Sequence, residues 1–406
     1  MYSVMVTLAY KFRFYPNSAQ RLQLAQDFGC ARWVWNRALA LRSQAYRERK
    51  ERMTGVDISR LVTLWKREQD TAWLTNANRT VLGQALRDQD TAFKNFFAKR
   101  ARYPRFKRRE NAQSARYQLD QRKVARTFNA GELLVLPKVG PLKIRWSRVP
   151  TGVPKMVTVS KDACGRYFVS FSCEQAITPL PETKVAIGLD LGVKDVLVGS
   201  DGWKSGNPKH LSARLRRLKR YQRIASRRQK GSNRRKLAVA RVARMHARIS
   251  DARRDWIQKQ TTAIVRRADV IALEDLHVKG MVRNRRLSRV LSDAGLGEVR
   301  RQIEYKAAWH DRNVLITGRF EPTSKTCSEC GCIQQKMPLA LRQWTCPDCA
   351  TTHDRDINAA RNVLMFATGG RPGSNARGGR NPQAPERLSN PECWRPMKRE
   401  FAGLAS

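Results

Sequence analysis

Lys184-Val-Ala-Ile-Gly-Leu-Asp-Leu-Gly-Val-Lys-Asp-Val-Leu-Val-Gly-Ser-Asp-Gly202 decides how this chain is organised. Its apolar run reads as a strand carrying Asp190, then a turn at Gly192 and a second strand from Val196 to Val198. A carboxylate inside such a run is expensive to bury unless it is paired or bound to metal. Gly188 and Gly192, flanking the acid, allow backbone and ligand to approach closely.

Two further acids belong with it. Asp269-Val-Ile-Ala-Leu-Glu-Asp-Leu276 puts Glu274 at the end of a second buried strand, and Asp354-Arg-Asp-Ile-Asn-Ala-Ala-Arg-Asn-Val363 opens a helix with acids in its first turn. An Asp at a helix start is ordinarily a cap. Two strand acids joined by a helix-start acid, however, form the set that holds two divalent cations about 4 Å apart for in-line phosphodiester displacement. Carboxylate oxygens suit Mg²⁺ or Mn²⁺, two per site. Residues two apart on a helix point about 200° from each other, so Asp354 and Asp356 cannot both face the metals. Asp356 precedes Ile357-Asn-Ala-Ala360, whose small residues pack against a sheet. The catalytic and Mg²⁺-binding set is therefore Asp190, Glu274 and Asp356. Asp354 is expected to cap the helix or to pair with Arg355 or another nearby basic residue.

Cys327-x-x-Cys330 and Cys346-x-x-Cys349 are separated by 15 residues. That spacing is a zinc ribbon, with one structural Zn²⁺ held by Cys327, Cys330, Cys346 and Cys349. Cys332, just beyond the first pair, is a possible decoy, and His353 stays outside the ligand set. Of nine cysteines these four form a metal pattern rather than a disulfide framework, which suits a reducing cytoplasm.

Composition sets the partner. Among 406 residues, 80 Lys and Arg face 34 Asp and Glu, a net charge of +46 that calls for a polyanion, with nucleic acid first. No run reaches the roughly 18 apolar residues of a membrane span, and Val4 to Phe14 alternates like a strand, not like a signal peptide. Pro16-Asn17-Ser18 ends that strand and caps a helix. Helical spacing then runs from Ala19 to about Arg102, and Tyr103 to Arg109 forms a basic connector. Short strands at Leu133–Leu136, Leu142–Arg145, Met156–Val159 and Arg166–Ser172 suit a small β-barrel or sandwich, with the helices inserted between its strands. Lys209 to Lys259 reads as a basic helical pair hinged at Lys230-Gly-Ser-Asn233, its only acids Asp251 and Asp255. That bias favours a clamp on a nucleic-acid backbone over an ordinary solvated face. The tail after about Thr368, rich in Gly, Pro, Arg and Asn, has the composition of a disordered segment.

In this order the pieces resemble the TnpB (OrfB) proteins of bacterial and archaeal insertion sequences, relatives of the miniature type V CRISPR effectors. The stretches that carry the resemblance are Gly188-Leu-Asp-Leu-Gly192, Leu273-Glu-Asp-Leu276, Pro322-Thr-Ser-Lys-Thr-Cys-Ser-Glu-Cys-Gly331 and Asp354-Arg-Asp-Ile-Asn-Ala-Ala-Arg-Asn362. It covers the chain from the Lys11-Phe-Arg-Phe-Tyr-Pro start to about Leu364. One departure is His310-Asp311, where the family pattern has an aromatic residue followed by Gly.

The resemblance implies an α+β multidomain chain. A split wedge β-barrel would occupy 1–15 and 103–180, with a helical recognition lobe over 16–102. A RuvC/RNase H-like α/β nuclease domain would cover 181–322, including the basic hairpin 209–259, and close over 353–368. The zinc ribbon inserted at 323–352 would bind target nucleic acid, and 369–406 would be a disordered tail. The implied activity is RNA-guided, metal-dependent DNA cleavage beside a short flanking motif in a prokaryotic cytoplasm. Its partners are a guide RNA from the transposon end and target double-stranded DNA, with no membrane. Gln84, in Leu82-Gly-Gln-Ala-Leu86, falls where the family contacts its flanking motif. Two other functions fit parts of the pattern. A nuclease-inactive RNA-guided repressor usually lacks one of the acids, and a strand-joining transposase would use the same metals.

Overall fold

A computed structural model describes residues 4–110, 112–338 and 340–370 of the chain; the tail, read as disordered from composition, lies almost wholly outside them. Strand β1 (Val4–Phe14) buries Tyr10, Phe12 and Phe14 on one face and turns Lys11 and Arg13 outward. Asn17 ends it and starts α1 (Ser18–Arg49): its Oδ1 accepts the Gln20 N–H at 2.8 Å, and Gln20 Oε1 accepts the Asn17 N–H at 3.0 Å. Two more helices follow, α2 (Gly55–Trp65) and α3 (Arg79–Phe97). The chain then returns to strands: β2 (Gln113–Gln118), β3 (Phe128–Asn129), β4 (Leu133–Leu136), β5 (Gly140–Pro141), β6 (Ile144–Arg145), β7 (Met156–Lys161) and β8 (Tyr167–Ile177).

Strands before and after the helices share one antiparallel sheet in the order β2-β7-β8-β1-β6. β1 runs against β8 from Val4↔Ile177 to Phe14↔Tyr167, so the three helices are an excursion between neighbouring strands. Strands β3, β4 and β5 form a small second sheet. The two share a core containing Phe12, Phe128, Leu134 and Phe171. Among the described residues no pairing between the edge strands β2 and β6 closes the larger sheet. Asp27 of α1 locks the helices on: its carboxylate, fully buried, accepts the Tyr117 hydroxyl at 2.6 Å and the Asn78 N–H at 3.0 Å.

The second half of the chain builds the sheet that positions the acids. Strands β9 (Ala186–Asp190), β10 (Val198–Gly199), β11 (Val270–Glu274) and β12 (Asn313–Thr317) lie in the order β10-β9-β11-β12. The last three are parallel and β10 is antiparallel. Side chains alternate across a strand. Ile187, Leu189, Ile271 and Leu273 pack into one core with Ile257, Ile264, Val299 and Ile303. Those partners come from α5 (Asn233–Arg267), which follows α4 (Leu215–Ser226), and from α6 (Leu296–Trp309). Gly188 faces the other way, onto α7 (Arg355–Ala367). A Cβ at 188 would lie 2.1 Å from the Ala360 carbonyl oxygen, so helix and strand meet backbone to backbone. The close approach that this glycine was expected to allow is thus made by the backbone of α7. Asp311, where the resembled pattern has Gly, adopts φ +55°, the left-handed conformation that glycine enters most freely.

Helices α4 and the first half of α5 form the basic pair, packed through Leu218, Met245 and Ile249 and hinged at Gly231 (φ +87°). Among the described residues no helix is long and apolar enough to cross a membrane.

Candidate metal centre

The alternation that sends Gly188 towards α7 sends Asp190 to the same face, and on β11 it does the same for Ala272 and Glu274. Leu189 and Leu273 are register partners, so Asp190 and Glu274 end adjacent parallel strands. Asp356 sits in the first turn of α7, which crosses that face. The acid cluster is therefore made by two strand ends and one helix start.

The Asp190 carboxyl feels the charges of the other two acids. Burial, then the charges of Glu274 and Asp356, push the Asp190 carboxyl up to about 8, against the opposing pull of Arg355 and Arg342. Burial also raises Glu274, opposed by the Thr323 hydroxyl, which donates to Glu274 Oε1 at 2.7 Å. Arg342, from the ribbon, places Nη1 3.2 Å from Asp356 Oδ1. A divalent cation would relieve the burial of Asp190 and Glu274 and the repulsion that Asp190 feels, and carboxylate oxygens fit Mg²⁺ or Mn²⁺.

Asp354 is placed differently. It is the N-cap of α7, its Oδ1 accepting the N–H groups of Asp356 and Ile357, while Oδ2 meets Lys204 Nζ at 2.6 Å. Burial works against its ionisation, but Lys204 and the two N–H donors prevail and hold its carboxyl below the usual range. The basic partner is thus Lys204, on the β10 hairpin, while neighbouring Arg355 donates to the Pro338 carbonyl.

The ribbon gathers its cysteines. Sγ atoms of Cys327, Cys330, Cys346 and Cys349 all lie within 4.8 Å of one another, with Cys330–Cys346 at 3.5 Å and Cys327–Cys349 at 3.7 Å. Tetrahedral zinc with bonds of about 2.3 Å sets sulfurs about 3.8 Å apart, so the quartet fits one Zn²⁺. Each knuckle closes alike: the Gly331 N–H reaches the Cys327 carbonyl and the Ala350 N–H the Cys346 carbonyl, both at 2.9 Å and both residues at positive φ. The short strands β13 (Gln343–Thr345) and β14 (Thr352–Asp354) pair behind the second knuckle. Cys332 is outside the quartet. His353 is buried with Nε2 3.1 Å from Cys327 Sγ and its ring against Trp344, a support for the ligand rather than a fifth one. Among the described residues no other group of His, Cys, Asp or Glu is gathered this tightly, the three acids included.

Thr323, Arg342, Asn358 and Asn362 are the site residues that sequence reasoning missed. Asn358 and Asn362 donate to the Thr326 carbonyl, and Asn362 also to that of Thr323, tying α7 to the loop that carries the Glu274 partner. Asn is a poor helix-interior residue, so two of them four apart were the available signal. Gln84 lies apart from the acids on α3, its Nε2 3.4 Å from Asp88 Oδ1.

Comparison with known proteins gives three family matches. Residues 168–285 match the OrfB family of IS605 elements, described as a probable transposase. Residues 297–363 match a Cas12f1-like TNB domain, and 5–51 match a helix-turn-helix domain of OrfB. That last segment folds here as a strand and one unbroken helix. A candidate RNA-guided DNA endonuclease of Streptomyces pristinaespiralis is 44% identical over 361 residues, spanning 88% of this chain and 89% of the relative. Another from Escherichia coli K12 is 34% identical over 376 residues, spanning 88% and 91%. Among solved structures, the Cas12f1–sgRNA–target DNA complex superimposes with a TM-score of 0.56 at 13% identity, covering 89% of this chain and 99% of that one. At that identity the likeness is one of fold.

Proposed function

Since this chain belongs to the TnpB (OrfB) family of insertion-sequence proteins, we propose that it is an RNA-guided DNA endonuclease. In this reading it cuts target double-stranded DNA beside a short flanking motif. The observation that carries the reading is the acid cluster: Asp190 and Glu274 at the ends of adjacent strands and Asp356 on the helix that covers them, with burial and the charges of the other two raising the Asp190 carboxyl.

Asp190, Glu274 and Asp356 would hold two Mg²⁺ or Mn²⁺ ions, which supply charge stabilisation at the attacking and leaving oxygens of the phosphodiester. The protein's own groups set the geometry. Thr323 fixes the Glu274 carboxylate through Oε1, the Asp354–Lys204 pair anchors the first turn of α7, and Asn358 and Asn362 hold that helix to the ribbon loop. Arg342 and the nearby Lys194 and Lys209 line a cleft of about 400 Å³ that suits a phosphate backbone. A guide RNA from the transposon end would occupy the basic surfaces, and its pairing with one DNA strand would supply most of the specificity. The β1–β8 sheets would act as the wedge, α1–α3 as the recognition lobe, and Gln84 as a contact to the flanking motif. All three acids are present, which weighs against an inactive repressor.

Protein purified with its RNA should cut a matched duplex with Mg²⁺, and neither EDTA-treated protein nor the Asp190→Ala variant should. Cutting that survives chelation sinks the two-metal reading; cutting by RNA-free protein at the same rate sinks the guided one.

A further inference from the structure

Phe320 is 94% exposed, the barest large apolar side chain among the described residues. No ring or cation packs on it among those residues. Its loop, 318–323, joins β12 to the first zinc knuckle, and both shoulders rest on the candidate catalytic Glu274. At the start, Thr317 is the register partner of Glu274, and its hydroxyl donates to the Val363 carbonyl of α7 at 2.8 Å. At the end, the Thr323 hydroxyl donates to Glu274 Oε1 and its carbonyl accepts from Asn362 at 2.7 Å. Between them the Glu321 N–H reaches the Gly318 carbonyl, and the Arg319 guanidinium grips Asp275 at 2.5 Å. Phe320 is three residues from either shoulder, so its Cα lies within about 11 Å of both threonine Cα atoms.

A phenylalanine at the tip of a free loop would fold its ring onto the nearest apolar surface. Here the loop is bonded at both shoulders, each next to Glu274, and the ring stands in solvent between them in sequence. That costs the fold apolar burial and gains it no contact.

We propose that Phe320 is a positioning residue that stacks on a nucleobase of the DNA strand entering the acid cluster. The stack would hold that strand with its phosphate before Asp190, Glu274 and Asp356. The proposal rests on those acids being the nuclease centre. A π-face accepts any base, which suits an enzyme that leaves sequence reading to base pairing.

The test uses full-length protein with its co-purified RNA and matched duplexes. Phe320→Ala should lower kcat/KM by roughly 5- to 150-fold, the usual worth of one base–aromatic stack, with zinc content and Tm unchanged because the ring packs on nothing. Phe320→Trp should restore most of it. In an Asp190→Ala background, 2-aminopurine placed near the cut should be quenched on binding, and Phe320→Ala should remove the quench. Unchanged kcat/KM in Phe320→Ala, or a Trp variant as impaired as the Ala variant, overturns the stacking role. Full cleavage by Asp190→Ala would instead overturn the centre itself, and the quench reports on stacking whether or not the acids cut.

Discussion

Asp354 Oδ1 accepts the backbone N–H of Asp356 at 3.0 Å, so one acid builds the helix start from which the other is presented. Asp354 is saturated by two N–H donors and Lys204, whereas Asp356 is coupled to Asp190 and touched by Arg342. Asp356→Ala is expected to abolish cleavage and leave nucleic-acid binding intact. Asp354→Ala should cost about 1 kcal/mol of stability, the worth of an N-cap, with a modest loss of activity. Thermal unfolding and single-turnover kinetics on both variants check this; the opposite ranking of activities would exchange their roles.

Purified protein should carry one zinc per chain. Cys346→Ser should lose it together with ribbon order, since metal binding and folding are coupled in such modules. Because Asn358 and Asn362 bond to the Thr326 carbonyl beside Cys327, the loss should also loosen α7. Metal analysis with hydrogen exchange over residues 355–367 reads both effects. Protection of α7 that is unchanged without zinc would show that ribbon and helix are independent.

Asp269 predicts an acid-sensitive joint. Burial opposes its charge, but the N–H groups of Lys184 and Thr183 and the Arg312 guanidinium outweigh it and hold the carboxyl below the usual range. A carboxyl lowered on folding stabilises fully above its unfolded value of about 3.9 and loses that contribution as pH falls through the folded value. Asp269→Asn should therefore lower Tm at pH 6 and converge on the parent as pH drops below about 4. Parallel Tm curves across that range would refute the linkage.

Both acids of the basic helical pair are already engaged, Asp251 with Arg166 at 2.5 Å and Asp255 with Lys259 at 2.8 Å. Arg216, Arg217, Lys219 and Arg220 remain exposed on α4 with no carboxylate partner among the described residues. Replacing them with Gln should weaken nucleic-acid binding and lower the slope of log K against log salt by up to about 0.9 for each phosphate no longer neutralised. An unchanged slope would remove this hairpin from the binding surface.

Where a pattern is local, the sequence is readable. Asp190 and Glu274 stand out because each ends an apolar run, and the cysteine spacing is itself the ribbon's geometry. Asn17 capping α1 is legible for the same reason. Strand β2, Gln-Ser-Ala-Arg-Tyr-Gln, is not, because only Ala115 and Tyr117 mark its buried face. Of the predicted strand at Leu142–Arg145 only Ile144–Arg145 pairs, on β1, while Gly140–Pro141 just before it pairs with β4. Thr323, Arg342 and Lys204 reach partners 14 to 150 residues away, and no window of sequence reports such a contact. Gly188 leaves the room its sequence context suggests, and the backbone of α7 uses it, a partner over 170 residues away that no local pattern names.

The close seat of α7 on Gly188 also orders the events of synthesis. A ribosome delivers Asp190 first and Glu274 84 residues later, yet the helix bearing Asp356 starts at Arg355, after the whole ribbon has been made. Until that helix emerges and docks, the nascent sheet has two of its three acids and an uncovered glycine groove. A chain that stops within the ribbon would lack Asp356 and the helix whose backbone fills the space over Gly188.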